Sequence, residues 1–426
     1  MKADVPLLLR ALRAPQQLAG LPPAGWDLLL RQAANANLSA TLHDWLAQHG
    51  MLAQALPQAR EQLSWAAVMA RRHRQATYWE IRLIGKALAG LGLPLLLLKG
   101  GAYAAAGLPP AAGRLFSDID ILVPEENLPQ VEAALMRHGW VGTHHDSYDQ
   151  RYYREWMHEL PPMMHVLRQT AIDVHHTILP RTAAQRPDAR LLRAAARPLT
   201  GDAAPPGTAI LAPLDMVLHS ATHLFADGEF DKGLRDLWDL HCLLTHFGQH
   251  EPGFWEALPA RARHHQLQRF MFYGLRYSAM LLGTEVPPAT LAAMAADAPP
   301  PPLLAVMDAL FTRALLPHHA SCRDAGSALA GFLLYVRGNW LRMPPLRLAR
   351  HLFHKAFLTP KTRRVRPHNS SNCQRCPATM AGTSLCTEHA CDSSPSWRPA
   401  CWPTLRARRM PPPCLNKPSA WNTAKA

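Results

Sequence analysis

Two carboxylates separated by one residue are the strongest chemical signal in this chain. Asp118-Ile119-Asp120-Ile121 lies within Phe116–Val123 (FSDIDILV), an apolar run that reads as a strand ending at Pro124. Residues i and i+2 of a strand share a face, so Asp118 and Asp120 project together while Ile119 and Ile121 turn to the opposite, buried side. Carboxylates on Cα atoms ~7 Å apart repel each other, and a cation relieves that repulsion. Hard dications such as Mg²⁺ or Mn²⁺ bind carboxylate and phosphate oxygens alike. A pair of them clamps the attacking and leaving oxygens of a phosphoryl-type displacement. Ile172-Asp173-Val174 repeats the apolar, acidic, apolar order. With its strand beside the first, Asp173 is expected to be the third carboxylate, sharing a metal or taking a proton from an acceptor hydroxyl.

Upstream, the apolar run Leu93–Leu98 is followed by Lys99-Gly100-Gly101. A glycine pair after a strand lets the backbone approach a phosphate, and a helix beginning there offers unpaired N–H groups. Lys99 and Arg114 are expected to meet a triphosphate, the lysine as a point charge and the arginine as a fork. The nucleoside triphosphate is thus the expected substrate, with ATP one candidate. His175 should share the face of Asp173 and orient it; His176 follows it on the other face. His219 and His223 are spaced i, i+4 on an expected helix, but Ser220 stands where a zinc-protease motif has glutamate, so they read as packing residues. In Gly233–Leu244 (GLRDLWDLHCLL), Asp236 or Asp239 is expected to pair with Arg235 or another basic group.

These residues must be positioned by a scaffold, and the periodicity supplies one. Residues 1–90 read as helices; Gln58–Leu91 has apolar positions at helical spacing and stops at Gly90, Gly92 and Pro94. Residues 91–200 read as a small mixed α/β unit: strands at Leu93–Leu98 and Phe116–Val123, a helix over Glu125–His138, a short strand at Trp140–Thr143, and a hairpin of Met163–Leu167 with Ala171–Ile178. Residues 201–360 are helical again, broken by Pro299–Pro302. The expected class is α+β: a mixed-sheet core between N-terminal helices and a C-terminal helical domain.

Taken together, LLLLKGGAY, then Arg114 separated by three residues from DIDILV, then IDVHHTI resemble an uncharacterised bacterial nucleotidyltransferase family with the pattern LKG…R…DiDlLv…lDvHw, within the DNA polymerase β-like superfamily. The similarity spans roughly residues 60–250. It implies a polymerase β-like core, transfer of a nucleoside monophosphate to an acceptor, Asp118 and Asp120 as metal ligands, Asp173 as the third acid, and Gly100–Gly101 at the phosphate. The chain departs from the pattern in a longer gap between the glycines and Asp118, and in having His176 where the family often has an aromatic. Two other functions stay open: a non-catalytic nucleotide-binding module, and an RNA-directed enzyme.

Composition narrows these. The net charge is +14, but residues 360–426 hold eleven Lys and Arg against two acids, so the rest carries only +5. That mild excess, with no basic stripe interleaved with aromatics, favours a small molecule, peptide or protein acceptor over RNA. The absence of a long apolar run and of a signal-peptide pattern leads to the expectation of a cytoplasmic protein without a membrane partner. Six of eight cysteines fall in the tail, among them Cys373-x2-Cys376 and Cys386-x4-Cys391, a loose zinc-like pattern. The Pro-, Cys- and Arg-rich composition of 361–426 reads instead as a disordered or non-native segment.

Overall fold

The computed structural model describes residues 5–144, 146–200 and 204–354. The basic tail and its cysteine pattern lie outside them. Seven strands form one mixed sheet: β1 (Leu95–Leu97), β2 (Asp118–Leu122), β3 (Trp140–Gly142), β4 (Met163–His165), β5 (Ala171–His175), β6 (Arg197–Pro198) and β7 (Thr208–Ile210). Their order is β3-β4-β5-β2-β1-β7-β6. β2 pairs parallel with β5 and antiparallel with β1, and β1 pairs parallel with β7. This is the expected α+β architecture with a mixed-sheet core. The sheet also runs past residue 200 with β7, which like β6 is too short to leave a period in the sequence.

The central strands are short apolar runs with alternate positions buried. Ile119, Ile121, Ile172 and Val174 are all 5% exposed or less and face the core. The β4–β5 hairpin turns at Arg168–Thr170, where Gln169 adopts a positive φ of 56°. Arg168 ties it down, forking the carboxylate of Glu80 and lying over the Trp140 ring at 4.9 Å.

Helix Pro57–Leu88 ends in a single 3-10 turn and a left-handed Gly92 (φ 65°), as the glycines and Pro94 require. The helical pattern breaks at the proline run as expected: helix Pro288–Ala295 ends before it, and with Pro300 as cap Pro301 opens the next helix, Pro301–Ala314, because a proline in the first turn gives up no intrahelical bond. Helix Pro213–Asp227 packs on helices Gly233–His250 and Gln268–Tyr277 and stops at Gly228 (φ 97°). The N-terminal helices, the sheet and the C-terminal helices share one apolar cluster, in which Leu29, Leu97, Ile121, Leu218 and Leu240 are all buried. Among the described residues no helix is long and apolar enough to cross a membrane.

One glycine is indispensable to the link that carries Arg114. Gly113 has φ 66°, and a Cβ there would lie 2.3 Å from the Thr41 nitrogen and 2.5 Å from the Ala40 oxygen, both backbone atoms. Gly113→Ala should therefore cost on the order of 3 kcal/mol, combining the left-handed penalty with overpacking. A denaturant midpoint within error of wild type would refute this.

Candidate active site

The parallel register of β2 and β5 sets Asp120 directly beside Asp173, and Asp118 beside Ala171. In-register neighbours share a face. Asp118, Asp120, Asp173 and His175 therefore sit on one side of the sheet, opposite the buried isoleucines. The three sequence-expected acids are brought together by two strands that are 53 residues apart at this pair in the chain.

Asp120 is 3% exposed and carries two contacts on one oxygen. Lys99 Nζ donates to its Oδ1 at 2.8 Å, and His175 Nε2 lies 2.9 Å from the same atom. Burial alone would raise the Asp120 pKa, but Lys99 and His175 outweigh it and hold the carboxyl well below the usual range. Burial would likewise lower the Lys99 pKa; the Asp120 carboxylate reverses this and raises it. Lys99 adopts a left-handed φ of 44°, unusual for a residue with a Cβ. It does so where β1 turns into helix Lys99–Ala105, and strain of this kind recurs at functional positions.

Asp173 behaves oppositely. Burial, then the negative charges of Asp120 and Glu159, push its carboxyl up to about 8. Asp118 is half-buried and accepts a bond from the Ser117 hydroxyl at 2.7 Å.

Two cavities meet at this face. One, of about 270 Å³, is lined by Lys99, Gly100, Arg114, Ser117, Asp118 and Arg235 among others. The second, of about 370 Å³, is lined by Tyr152, Tyr153, Glu159, Asp173, Phe270 and Arg342 among others. Lys99, Asp118, His223, Asp227 and Glu229 belong to both.

The remaining sequence candidates divide. Gly100 faces the first cavity, and a Cβ there would crowd Arg114 Nε and the Phe116 ring at 3.1 Å. Gly101 instead faces Ile119, at an ordinary 3.7 Å from a built Cβ. Arg114 lines the first cavity but is ion-paired with Asp239, with its guanidinium 5.7 Å from the Tyr103 ring centre. Arg235 pairs with Asp236. The helix Gly233–His250 thus holds both arginines through Asp239 and Asp236, as its two aspartates led one to expect.

Two histidine readings change. His175 is a direct partner of Asp120 rather than of Asp173. His223 lines both cavities, so the packing reading holds only for the buried His219. The Lys99 charge, then burial, holds His223 down to about 3. His176 is on the other face: its Nε2 approaches the Met157 carbonyl at 3.3 Å and its Nδ1 lies 3.7 Å from Glu125.

Sequence reasoning missed His158, Glu159, Tyr152 and Tyr153. Tyr152 and Tyr153 sit on a π-helical turn, Tyr152–Trp156, and His158 and Glu159 on the link after it, which joins β5 through a lone bridge between Glu159 and His175. An aromatic run ending in His-Glu was their only signal, and it has neither strand nor helix period.

A family model described as an uncharacterised nucleotidyltransferase matches residues 22–283, more than half of the chain, and the chain belongs to that family. No curated protein and no solved structure matches it significantly. Membership supports a general nucleotidyl-transfer role, with a nucleotide as substrate.

Proposed function

We propose that this member of the family transfers a nucleoside monophosphate from an NTP to an acceptor hydroxyl or phosphate, with release of pyrophosphate, at the junction of the two cavities. The observation that carries the reading is the in-register Asp120–Asp173 pair with Asp118 at the mouth of both cavities.

The acids fit a hard dication. Asp118 opens to both cavities, and Asp173 is held up to about 8 by burial and by neighbouring carboxylates, an excess of negative charge that a cation relieves. Asp118, Asp120 and Asp173 would hold Mg²⁺ or Mn²⁺, which when bound neutralises the triphosphate and polarises the reacting oxygens. The rest is the work of this chain's own groups. Lys99, Gly100 and Arg114 on the first cavity are the groups that would meet the triphosphate, and the acids that share its lining are ones a bound cation would offset. The second cavity, with tyrosines beside Asp173, suits the acceptor. Ionised by a neighbouring cation, the Asp173 carboxylate would take a proton from an acceptor hydroxyl. His175 and Lys99 fix the orientation of Asp120.

Calorimetric titration of the full chain with each of the four NTPs, in Mg²⁺ and in EDTA, tests this. Binding that requires Mg²⁺ is expected, with one base preferred. Folded protein that binds none of the four would overturn the reading.

A further inference from the structure

The segment leading into β4 places a second donor set next to the aspartates. Glu159 bridges His175, Leu160 N donates to Val174 O at 2.9 Å, and His176 N donates to His158 O at 2.9 Å. These bonds fix the backbone on both sides of His158 and Glu159. One ligand atom each from His158, Glu159 and His175 falls within 4.8 Å of the others.

The ring nitrogens explain why that matters. His175 Nε2 is turned to the Asp120 carboxylate. Its Nδ1 is 3.2 Å from Glu159 Oε2 yet is buried without a hydrogen bond, and His158 Nδ1 is buried and unbonded too. With Nε2 turned to Asp120, the Nδ1 of a neutral ring would present a lone pair to the Glu159 carboxylate, and a contact of that kind needs either a proton or a metal cation between the two atoms. A metal-bound histidine characteristically donates its other N–H to a carboxylate, and Asp120 occupies that place here.

We propose that His158, Glu159 and His175 form a binding site for a zinc-class transition metal, separate from the three aspartates. Two imidazoles and one carboxylate are a borderline donor set that favours Zn²⁺ or Co²⁺ over Mg²⁺. His158 and Glu159 line the larger cavity, which leaves an open coordination position towards it. The bound metal orders His175 and, through it, Asp120. The site uses none of the aspartates as ligands, so it stands whether or not the nucleotidyl-transfer reading does.

Titrating the full chain with Co²⁺ and recording the visible spectrum tests the site. The expected result is one Co²⁺ with d–d bands and no thiolate charge-transfer band, retained in excess Mg²⁺ and in Asp118→Asn. His158→Ala and the near-isosteric Glu159→Gln should each weaken it ~10–100-fold, with the far-ultraviolet circular dichroism of each variant unchanged. Only thiolate-type Co²⁺ binding, which would report the tail cysteines, would overturn the proposal. So would wild-type affinity in both folded variants.

Discussion

Asp118→Asn should reduce nucleotidyl transfer by ~10²–10⁴, equivalent to ~3–5 kcal/mol of transition-state stabilisation. Its stability should stay within about 1 kcal/mol of wild type. Both halves follow from its surroundings. Asp118 is half-buried, stands at the mouth of both cavities, and has the Ser117 hydroxyl as its close polar partner, for which an asparagine oxygen still serves as acceptor. The substitution therefore removes charge and almost nothing else. Asp120 offers no such clean test. Its loss would strand the Lys99 ammonium and His175 in a buried site, and breaking a buried pair costs several kcal/mol in its own right. The measurement is pyrophosphate release from the preferred NTP, alongside thermal melts. Wild-type turnover by Asp118→Asn would remove Asp118 from the metal set; loss of turnover together with collapse of the fold would contradict the environment described here.

The difference between these two aspartates could not be read from the sequence. DIDI announces a strand with two acids on one face, and the structure has that strand. Which acid is buried depends on Lys99, twenty-one residues upstream at the end of β1, and on His175 on β5. Alternation located Asp173 on a strand; only the parallel register put it beside Asp120 rather than Asp118. The glycine pair shows the opposite limit. A helix beginning at Lys99 turns adjacent residues about 100° apart, so Gly100 faces the cavity and Gly101 faces Ile119. Arg114 was legible as a charge near the acids, but its partner Asp239 comes from a helix more than a hundred residues later. His158 and Glu159 were illegible because their segment is held by a bridge to β5 rather than by a pattern of its own.

Asp173 should show the reverse relation between charge and stability. Its carboxyl is pushed up to about 8 in the folded chain, against about 3.9 for an unfolded aspartate. Below about pH 4 both states hold the proton, and the group is neutral for folding. Between about 4 and 8 the unfolded chain releases the proton while the folded chain keeps it, so folding is progressively disfavoured as pH rises. Above about 8 both are ionised and the penalty is constant. Asp173→Asn abolishes this term. In EDTA the variant should match wild type near pH 4 and be more stable by pH 8, by a few kcal/mol at most given partial solvent access, or several degrees in Tm. Comparison with wild type cancels the other titrating groups. Saturating Mg²⁺ should shrink the advantage, because a bound cation stabilises the ionised carboxylate that asparagine lacks. The same variant should lose transfer activity by ~10²-fold or more, as the carboxylate that would take the proton is gone. An unchanged or inverted pH dependence in EDTA would show that the carboxylates around Asp173 do not press on it. An advantage undiminished by Mg²⁺ would show that Asp173 is not among the groups that hold the cation. A more stable but inactive variant is the expected signature of an acid kept under electrostatic strain for chemistry rather than for folding.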